Sequence, residues 1–198
     1  MALDRGLARA ERRHSKAMAA MLAEAFIDEP ALSWVWPDRE ERARRLRVFF
    51  PPIVNGTIAH GLALRSPDDE AVTLWRKPGA IHPGLIETLV SLPALMKALG
   101  DGRTRAQALA HSLRAHEPDF PFWYLQFAGV SPAAQGKGWG GAAIRAGLEQ
   151  ISASGAPVYL ETSKRANFEL YSHLGFALRQ EWDAPDGGPH VWSMLRRP

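Results

Sequence analysis

Apolar residues in the first quarter of the chain recur at helical spacing. Within residues 11–27 the apolar positions fall on one face of a helix, namely Met18, Met21, Leu22, Ala25 and Phe26. The segment Asp28-Glu29-Pro30 is expected to end this helix. A second helix is predicted from Asp38, a suitable N-cap residue, to Phe50. Pro51-Pro52 is then expected to break or kink it.

The middle of the chain alternates between short strand patterns and longer helical ones. Strands are predicted at 61–65 and 71–76, and the turn-forming Pro67-Asp68-Asp69 between them suits a hairpin. Two helices are predicted at 84–99 and 103–116, separated by Gly100-Asp101-Gly102. This region therefore adds one hairpin and one helix pair.

Strands and helices alternate through the last 80 or so residues. Strands are predicted at 123–130, 157–161, 176–182 and 190–195, and helices at 138–152 and 167–174. The turn residues Pro185-Asp186-Gly187-Gly188-Pro189 join the last two strands. The whole pattern predicts an α/β fold of mixed α+β character, in which helices flank a mixed, twisted central sheet within a single domain, 1–198.

Composition limits the chemistry that this domain can perform. The 198 residues are 46% hydrophobic and 23% charged, with a net charge of only +3, which is modest for a protein that coats nucleic acid. The chain has no cysteine, so disulfides, thiol catalysis and cysteine-bound zinc are excluded, and no histidine spacing indicates a metal site. Met1–Lys16 lacks the apolar segment of a secretion signal, and no run of 18 apolar residues occurs. We therefore expect a cytoplasmic protein without a metal or a membrane partner.

The strongest chemical signal is a glycine-rich loop between a predicted strand and a predicted helix, Ser131 to Gly141. A helix N-terminus presents unpaired N–H groups, glycines let the backbone approach an anion, and Lys137 adds a positive charge. The spacing lacks the Ser or Thr that follows the lysine of a P-loop. Gly136, Gly138 and Gly141 approach the dinucleotide-binding spacing, and Glu161 lies about 20 residues further on, so that alternative stays open. A glycine turn that only packs a helix on the sheet is the other alternative.

Two motifs together indicate a family. Val130-Ser131-Pro132-x-x-Gln135-Gly136-Lys137-Gly138-x-Gly140 resembles motif A of the GNAT acetyltransferase superfamily. Asn167, Tyr171 and Gly175-Phe176 resemble the segment that follows the fifth strand in that superfamily, although Leu170 stands where the pattern has an aromatic residue. The segment 122–198 is also similar to the puromycin N-acetyltransferase-like branch, including the stretch Tyr159-Leu160-Glu161-Thr162-Ser163.

This resemblance implies that acetyl-CoA is the co-substrate. It implies that the pyrophosphate is held by the backbone of one loop, formed by Gln135, Gly136, Lys137, Gly138, Trp139 and Gly140. The strand that ends at Val130 would pair with the pantetheine arm, and the N–H of Ala128 would contact the thioester carbonyl. Asn167 would contact the co-substrate, and Tyr171 would act as general acid. A core aromatic role is the alternative for Tyr171.

Acetyl transfer also needs a base, because an alkylamine with a pKa of about 10.4 is almost wholly protonated at neutral pH. Glu161, at the end of the next predicted strand, is the first candidate; its alternative role is a structural carboxylate. Glu117 and Asp119 precede the motif strand and are further candidates, as is water. Residues 1–121, and 80–120 in particular, are expected to shape the acceptor pocket.

The sequence therefore favours an N-acetyltransferase that acts on a primary amine of a small molecule by direct transfer in a ternary complex. The alternatives are an acetyltransferase for protein or peptide amines and a non-catalytic acyl-CoA-binding regulatory module. A nucleic-acid-binding role for Arg39 to Arg47 is disfavoured, because Glu40 and Glu41 stand at helical spacing to Arg44 and Arg45. A homodimer is left open.

Overall fold

A computed structural model describes residues 6–198, so the first five residues of the Met1–Lys16 segment lie outside the described residues. Seven strands form one mixed sheet in the order β1-β2-β3-β4-β5-β7-β6. Their bounds are Ala8–Arg9 (β1), Gly61–Arg65 (β2), Ala71–Arg76 (β3), Trp123–Val130 (β4), Val158–Thr162 (β5), Ala177–Asp183 (β6) and His190–Arg196 (β7). This arrangement confirms the predicted mixed α/β sheet.

Helices account for most of the remaining described residues. The α-helices are Ser15–Ala25 (α1), Pro30–Val35 (α2), Arg39–His60 (α3), Leu85–Leu99 (α4), Arg103–Ala115 (α5), Trp139–Ile151 (α6) and Arg165–His173 (α7). Single turns of 3-10 helix lie at Arg12–His14, Gly100–Gly102, Pro132–Ala134 and Ser152–Ser154. None of the helices between residues 6 and 198 combines the length and the apolar character needed to cross a membrane.

Successive side chains of the central strands point to opposite faces of the sheet, so the core has two layers. On one face of the sheet Leu74 and Phe127 pack with Leu22 of α1 and Phe50 of α3. On the other face Trp75 packs with Ile144 of α6, and the residues contributed there by α7 include Tyr171. Each large side chain buried in this way contributes about 1.5–3 kcal/mol, so the two layers together fix the sheet between α1/α3 and α6/α7.

The one parallel pair of strands in the described sheet is also its shortest central pairing. β4 pairs with β5 only at Trp123–Val158 and Tyr124–Tyr159. By contrast, every residue of β3 pairs with a residue of β4, and these pairs extend to Val130, the last residue of β4. Beyond Tyr124 the edge of β4 that faces β5 therefore has no strand partner in the described part of the chain. The sheet is split at its centre, and the split opens towards the C-terminal ends of both strands.

Three features of the N-terminal half differ from the predictions. Pro51-Pro52 was expected to break or kink the helix, and the break is wrong: α3 continues for ten residues past Phe50 to His60. Prolines remove two helical N–H donors, but Phe50, Val54 and Thr57 are all fully buried, and their packing keeps the segment helical. The short elements α2 and β1 were not predicted. The N-cap prediction for Asp38 is confirmed, since its Oδ1 accepts a hydrogen bond from the N–H of Glu41 at 2.7 Å.

Candidate active site

The glycine-rich loop adopts a conformation that few residues other than glycine accept. Gly136 has φ of +75° and Gly138, the N-cap of α6, has φ of +76°. The first intrahelical bond runs from the N–H of Ala142 to the carbonyl of Gly138 at 3.2 Å, so the N–H groups of Gly140 and Gly141 emerge from the helix end. Both glycines with positive φ therefore direct the loop around the positive end of a 13-residue helix.

Side chains at the base of this loop hold it to its own backbone. Gln135 donates from Nε2 to the carbonyl of Val130 at 3.3 Å, and the Lys137 ammonium donates to the carbonyl of Ala133 at 2.9 Å. Ala134 is buried, while Gln135, Gly136, Lys137 and Gly138 are exposed. The loop is thus anchored at its start and open to solvent at its glycines. Trp139 and Gly140 begin α6, half-buried.

The predicted thioester-contacting residue, Ala128, lies on β4 beside the split in the sheet. It pairs with Thr73 of β3, and Val130 pairs with Ala71. The register between β3 and β4 shifts between Leu74 and Trp75, so that Gln126 has no counterpart on β3. Such an irregularity changes the direction in which the neighbouring backbone N–H and C=O groups point. β4 therefore offers an irregular backbone and an unpaired edge at the same place.

Glu161 lies on β5, two residues after Tyr159, which is the last residue of β5 that pairs with β4. Its neighbours on the same face of the sheet are the phenols of Tyr159, two residues earlier, and of Tyr124, which pairs with Tyr159. Burial raises the pKa of the Glu161 carboxyl to about 7, although hydrogen bonding from Tyr124 and Tyr159 opposes this effect. Its Oε2 is enclosed and accepts no hydrogen bond from the described residues. Glu161 is thus a carboxyl group that ionises near neutrality at the split in the sheet.

Tyr171 and Asn167 share one helix, α7, which follows β5. Tyr171 is 7% exposed and packs against the ring of Phe176 with centroids 6.0 Å apart. Burial, followed by the charge of Glu29, raises the pKa of the Tyr171 phenol to about 12. Asn167 is half-buried, and its Nδ2 lies 3.4 Å from Oγ1 of Thr162. The Asn167 side chain therefore borders the end of β5, and Tyr171 lies one turn further along α7.

Glu29 is a candidate site residue that the sequence reasoning missed. Its Oε2 caps α2 by accepting from the N–H of Leu32 at 2.9 Å, and its Oε1 accepts from the hydroxyl of Ser163. Since Ser163 follows β5 directly, this carboxylate joins the α1–α2 connection to the C-terminal half of the sheet. An acidic N-cap directly before a proline at the first helical position is the sequence signal that indicates α2.

The two alternative bases occupy the connection between α5 and β4. Oε2 of Glu117 lies 2.9 Å from Nε2 of His82, and Asp119 is exposed. The charge of Glu117 contributes to raising the pKa of Glu161, so the two carboxyls share one region of the sheet face. The structure brings Glu161, Tyr124 and Tyr159 together and leaves Asp119 on the loop.

The arginine-rich segment is largely paired within the protein. Arg44 and Arg45 both contact Glu41, Arg39 contacts Asp28, and the buried Arg42 donates to the carbonyls of Ile27 and Trp36. A groove of about 880 Å³ lies between α1 and α3 and is lined by basic residues that include Arg12, Lys16 and Arg47, but by no residue of β4 or β5. Residues 6–198 contain no cluster of His, Asp and Glu suited to a metal ion.

Comparison with known proteins yields a sequence relative that is an N-acetyltransferase and many similar folds. No family model matches the chain. An uncharacterized N-acetyltransferase of Schizosaccharomyces pombe is 31% identical over 183 residues, which cover 87% of this chain and 74% of the relative. Among solved structures, a protein from Corynebacterium glutamicum described as histone acetyltransferase HPA2 and related acetyltransferase superposes with a TM-score of 0.73 at 23% identity, over 97% of this chain and 95% of that one.

A second similar structure is arylalkylamine N-acetyltransferase 2 from Aedes aegypti, with a TM-score of 0.63 and 13% identity over 96% of this chain and 97% of that one. At these identities the two structures establish the fold. The sequence relative, the fold and the loop at the start of α6 agree, and this chain is an N-acetyltransferase that belongs to the GNAT superfamily, whose members use acetyl-CoA as co-substrate.

Proposed function

We propose that this enzyme, acting as a single domain over residues 1–198, moves the acetyl group of acetyl-CoA to a primary amine of a small molecule within a ternary complex. The observation that carries the proposal is the split between β4 and β5, with a carboxyl group of pKa about 7 on its wall. The fold shared with an arylalkylamine N-acetyltransferase supports an amine of small size. The absence of cysteine supports direct transfer, because no thiol can carry the acetyl group in between.

The loop before α6 fits the pyrophosphate of the co-substrate. Gly136 and Gly138 already hold positive φ values that turn the backbone around the helix end, and no atom lies within 4 Å of a Cβ placed on Gly136. The proposed contacts are the backbone N–H groups of the loop together with the charge of one lysine, that is Gln135, Gly136, Lys137, Gly138, Trp139 and Gly140. A polyanion at this helix end is stabilised by the helix dipole as well.

The unpaired edge of β4 suits the pantetheine arm, which carries amide groups in an extended chain. In the proposal this arm adds to β4 beside Val130 as an extra strand would. The backbone N–H of Ala128 then contacts the thioester carbonyl, and Asn167 contacts the co-substrate from α7. A donor aimed at the carbonyl oxygen stabilises the negative charge that develops there as the amine attacks.

Glu161 is the proposed base. The amine nitrogen must lose a proton when it forms its bond to the thioester carbon, and a carboxylate with a pKa of about 7 accepts that proton better than an ordinary surface glutamate would. Above pH 7 most of the enzyme holds Glu161 as carboxylate. Its Oε2 accepts no hydrogen bond from the described residues, so we assign this oxygen the role of taking the proton, directly or through a water.

Tyr171 is the proposed donor to the departing sulfur. Its phenol has a pKa of about 12, whereas a thiol has one of about 8.5, so complete proton transfer to the thiolate is uphill by about 5 kcal/mol. A hydrogen bond from the phenol to the sulfur does not carry that cost. The proposed role is therefore hydrogen bonding from the phenol, which keeps its proton, as the carbon–sulfur bond breaks. CoA leaves as the thiolate and takes its proton from solvent water.

Thiol release from acetyl-CoA in the presence of a panel of small primary amines tests the proposal. The wild-type enzyme is expected to release CoA only when an amine is present, with kcat/KM rising through a pH of about 7. Glu161→Gln is expected to lose that pH dependence and about 10²–10⁴-fold in rate. Thiol release that proceeds equally well without any amine, or a Glu161→Gln enzyme with the wild-type profile, would contradict it.

A further inference from the structure

A second concave site lies at the opposite end of β4 from the glycine-rich loop. The loop follows Val130, whereas a cavity of about 400 Å³ borders the residues that precede Trp123. The walls of this cavity come from two segments of the long connection between β3 and β4, and the lining includes Ile81, His82, Asp119, Phe120, Pro121 and Phe122. Strand β4 therefore runs from this cavity to the pyrophosphate loop.

Phe122 connects the cavity to the proposed base. It is 2% exposed, and its ring centroid lies 5.1 Å from that of Tyr159 and 6.5 Å from that of Tyr124. These two tyrosines form the last pair between β4 and β5, and both lie on the same face of the sheet as Glu161. One wall of the cavity is thus in ring contact with the side chains that surround Glu161.

The cavity has the size and the lining of a small-molecule subsite. Its volume falls within the range of about 300–1,000 Å³ that is usual for ligand pockets. Most of its lining is apolar, from Ile81, two prolines and two phenylalanines, and Phe120 presents a ring that is 40% exposed. No lysine or arginine lines it, and its acidic member is Asp119. Such a lining suits an apolar body with a positive charge and disfavours an anion.

A hydrogen-bonded pair fixes the two cavity segments to each other. Nε2 of His82, from the segment after β3, lies 2.9 Å from Oε2 of Glu117, from the segment before β4. On its other side Nδ1 of His82 lies 3.4 Å from Nη2 of Arg114. The carbonyl of His116 accepts hydrogen bonds from the Tyr159 hydroxyl at 3.3 Å and from Arg179 at 2.7 Å. The wall at residues 116–117 is therefore tied to the tyrosines next to Glu161.

We propose that this cavity is the acceptor subsite, and that it takes the aromatic or bulky apolar body of a small primary amine while the amino group points towards Glu161. This inference rests on the proposed function and narrows its substrate class. The donor and the acceptor enter from the two ends of β4 and meet where β4 and β5 separate. Phe120 is the specificity residue, because its exposed ring stacks on the body of the amine and has no part in the chemistry.

The test compares two amines of similar basicity, 2-phenylethylamine and n-butylamine, on wild-type enzyme and on Phe120→Ala. The variant is expected to raise KM for 2-phenylethylamine about tenfold or more and to leave KM for n-butylamine within about twofold, with kcat for both nearly unchanged. Leu178→Ala is the matched control, since Leu178 is similarly exposed at 46% but lies on β6 and not in the cavity. Equal changes for both amines, or no change for either, would overturn the assignment.

A binding measurement separates failure of this inference from failure of the proposed function. Ligand-observed NMR with 2-phenylethylamine needs no turnover, and contact with the protein is expected to be lost in Phe120→Ala and in Ile81→Trp, which fills the cavity. If no amine is acetylated but this pattern is found, the proposed function fails and the cavity stands as an amine site. If amines are acetylated and binding is insensitive to both substitutions, the acceptor lies elsewhere and this inference fails.

Discussion

Replacing Glu161 by glutamine is expected to make the protein more stable at alkaline pH while it removes the proposed base. Burial raises the pKa of this carboxyl from 4.5 to about 7. The folded state therefore binds the proton more tightly than the unfolded state, which gives stability at low pH that is lost as the pH rises from about 4.5 through 7. A difference of this size corresponds to about 3 kcal/mol of unfolding free energy at high pH. Glutamine has no charge to bury at any pH.

Urea unfolding of the wild-type and Glu161→Gln proteins at pH 5 and at pH 8 measures this effect. The gain in stability from the substitution should be about 2.5 kcal/mol larger at pH 8 than at pH 5. Glu149→Gln serves as the control, because Glu149 is exposed on α6 and should give the same small change at both values. A Glu161→Gln difference that is the same at pH 5 and at pH 8 would show that the pKa of this carboxyl is not raised in the folded protein.

The remaining predictions concern the donor, the loop and the core. Tyr171→Phe should lower kcat about 10- to 100-fold in the thiol-release assay with KM for acetyl-CoA nearly unchanged, and an unaltered kcat would remove Tyr171 from the mechanism. Gly138→Ala should lower the free energy of unfolding by about 1–2 kcal/mol, because φ of Gly138 is +76°, and should raise KM for acetyl-CoA. Gly155→Ala is the control: its φ is +60° in open space away from the loop, so it should lower the free energy of unfolding as much with no change in KM. Gly147→Ala places a Cβ against the indole of the fully buried Trp75, within 2.8 Å of Nε1, and should lower stability by about 1–3 kcal/mol, visible as a fall in Tm; an unchanged Tm would show that the indole can shift.

The elements of the C-terminal half were predictable because their signals are local. The glycines at 136 and 138, the helix that follows and the alternating strands each depend on a few adjacent residues, and the structure places each element within a few residues of its prediction. The course of α3 through Pro51-Pro52 was not predictable in this way. It depends on burial of Phe50 and Val54 against strands and helices far away in the sequence, which outweighs the local preference of proline.

The surroundings of the candidate site depend on strand register, which the sequence does not display. Glu161 could be named from its place at the end of a strand, but its position beside the phenols of Tyr124 and Tyr159 follows from the parallel pairing of these two tyrosines. Burial of the Glu161 carboxyl raises its pKa, and the two phenols oppose that effect. Glu29 was missed for a related reason, since its contact with Ser163 joins positions 134 residues apart.

The most direct measurement follows the acetyl group itself. Acetyl-CoA labelled in the acetyl carbonyl is incubated with the enzyme and a small primary amine, and label is measured in the amine and on the protein by mass spectrometry. Direct transfer predicts label in an amide product, in proportion to the CoA released, and none on the protein at any time. Label that accumulates covalently on the protein, or CoA release without a labelled amide, would contradict acetyl transfer at the split between β4 and β5.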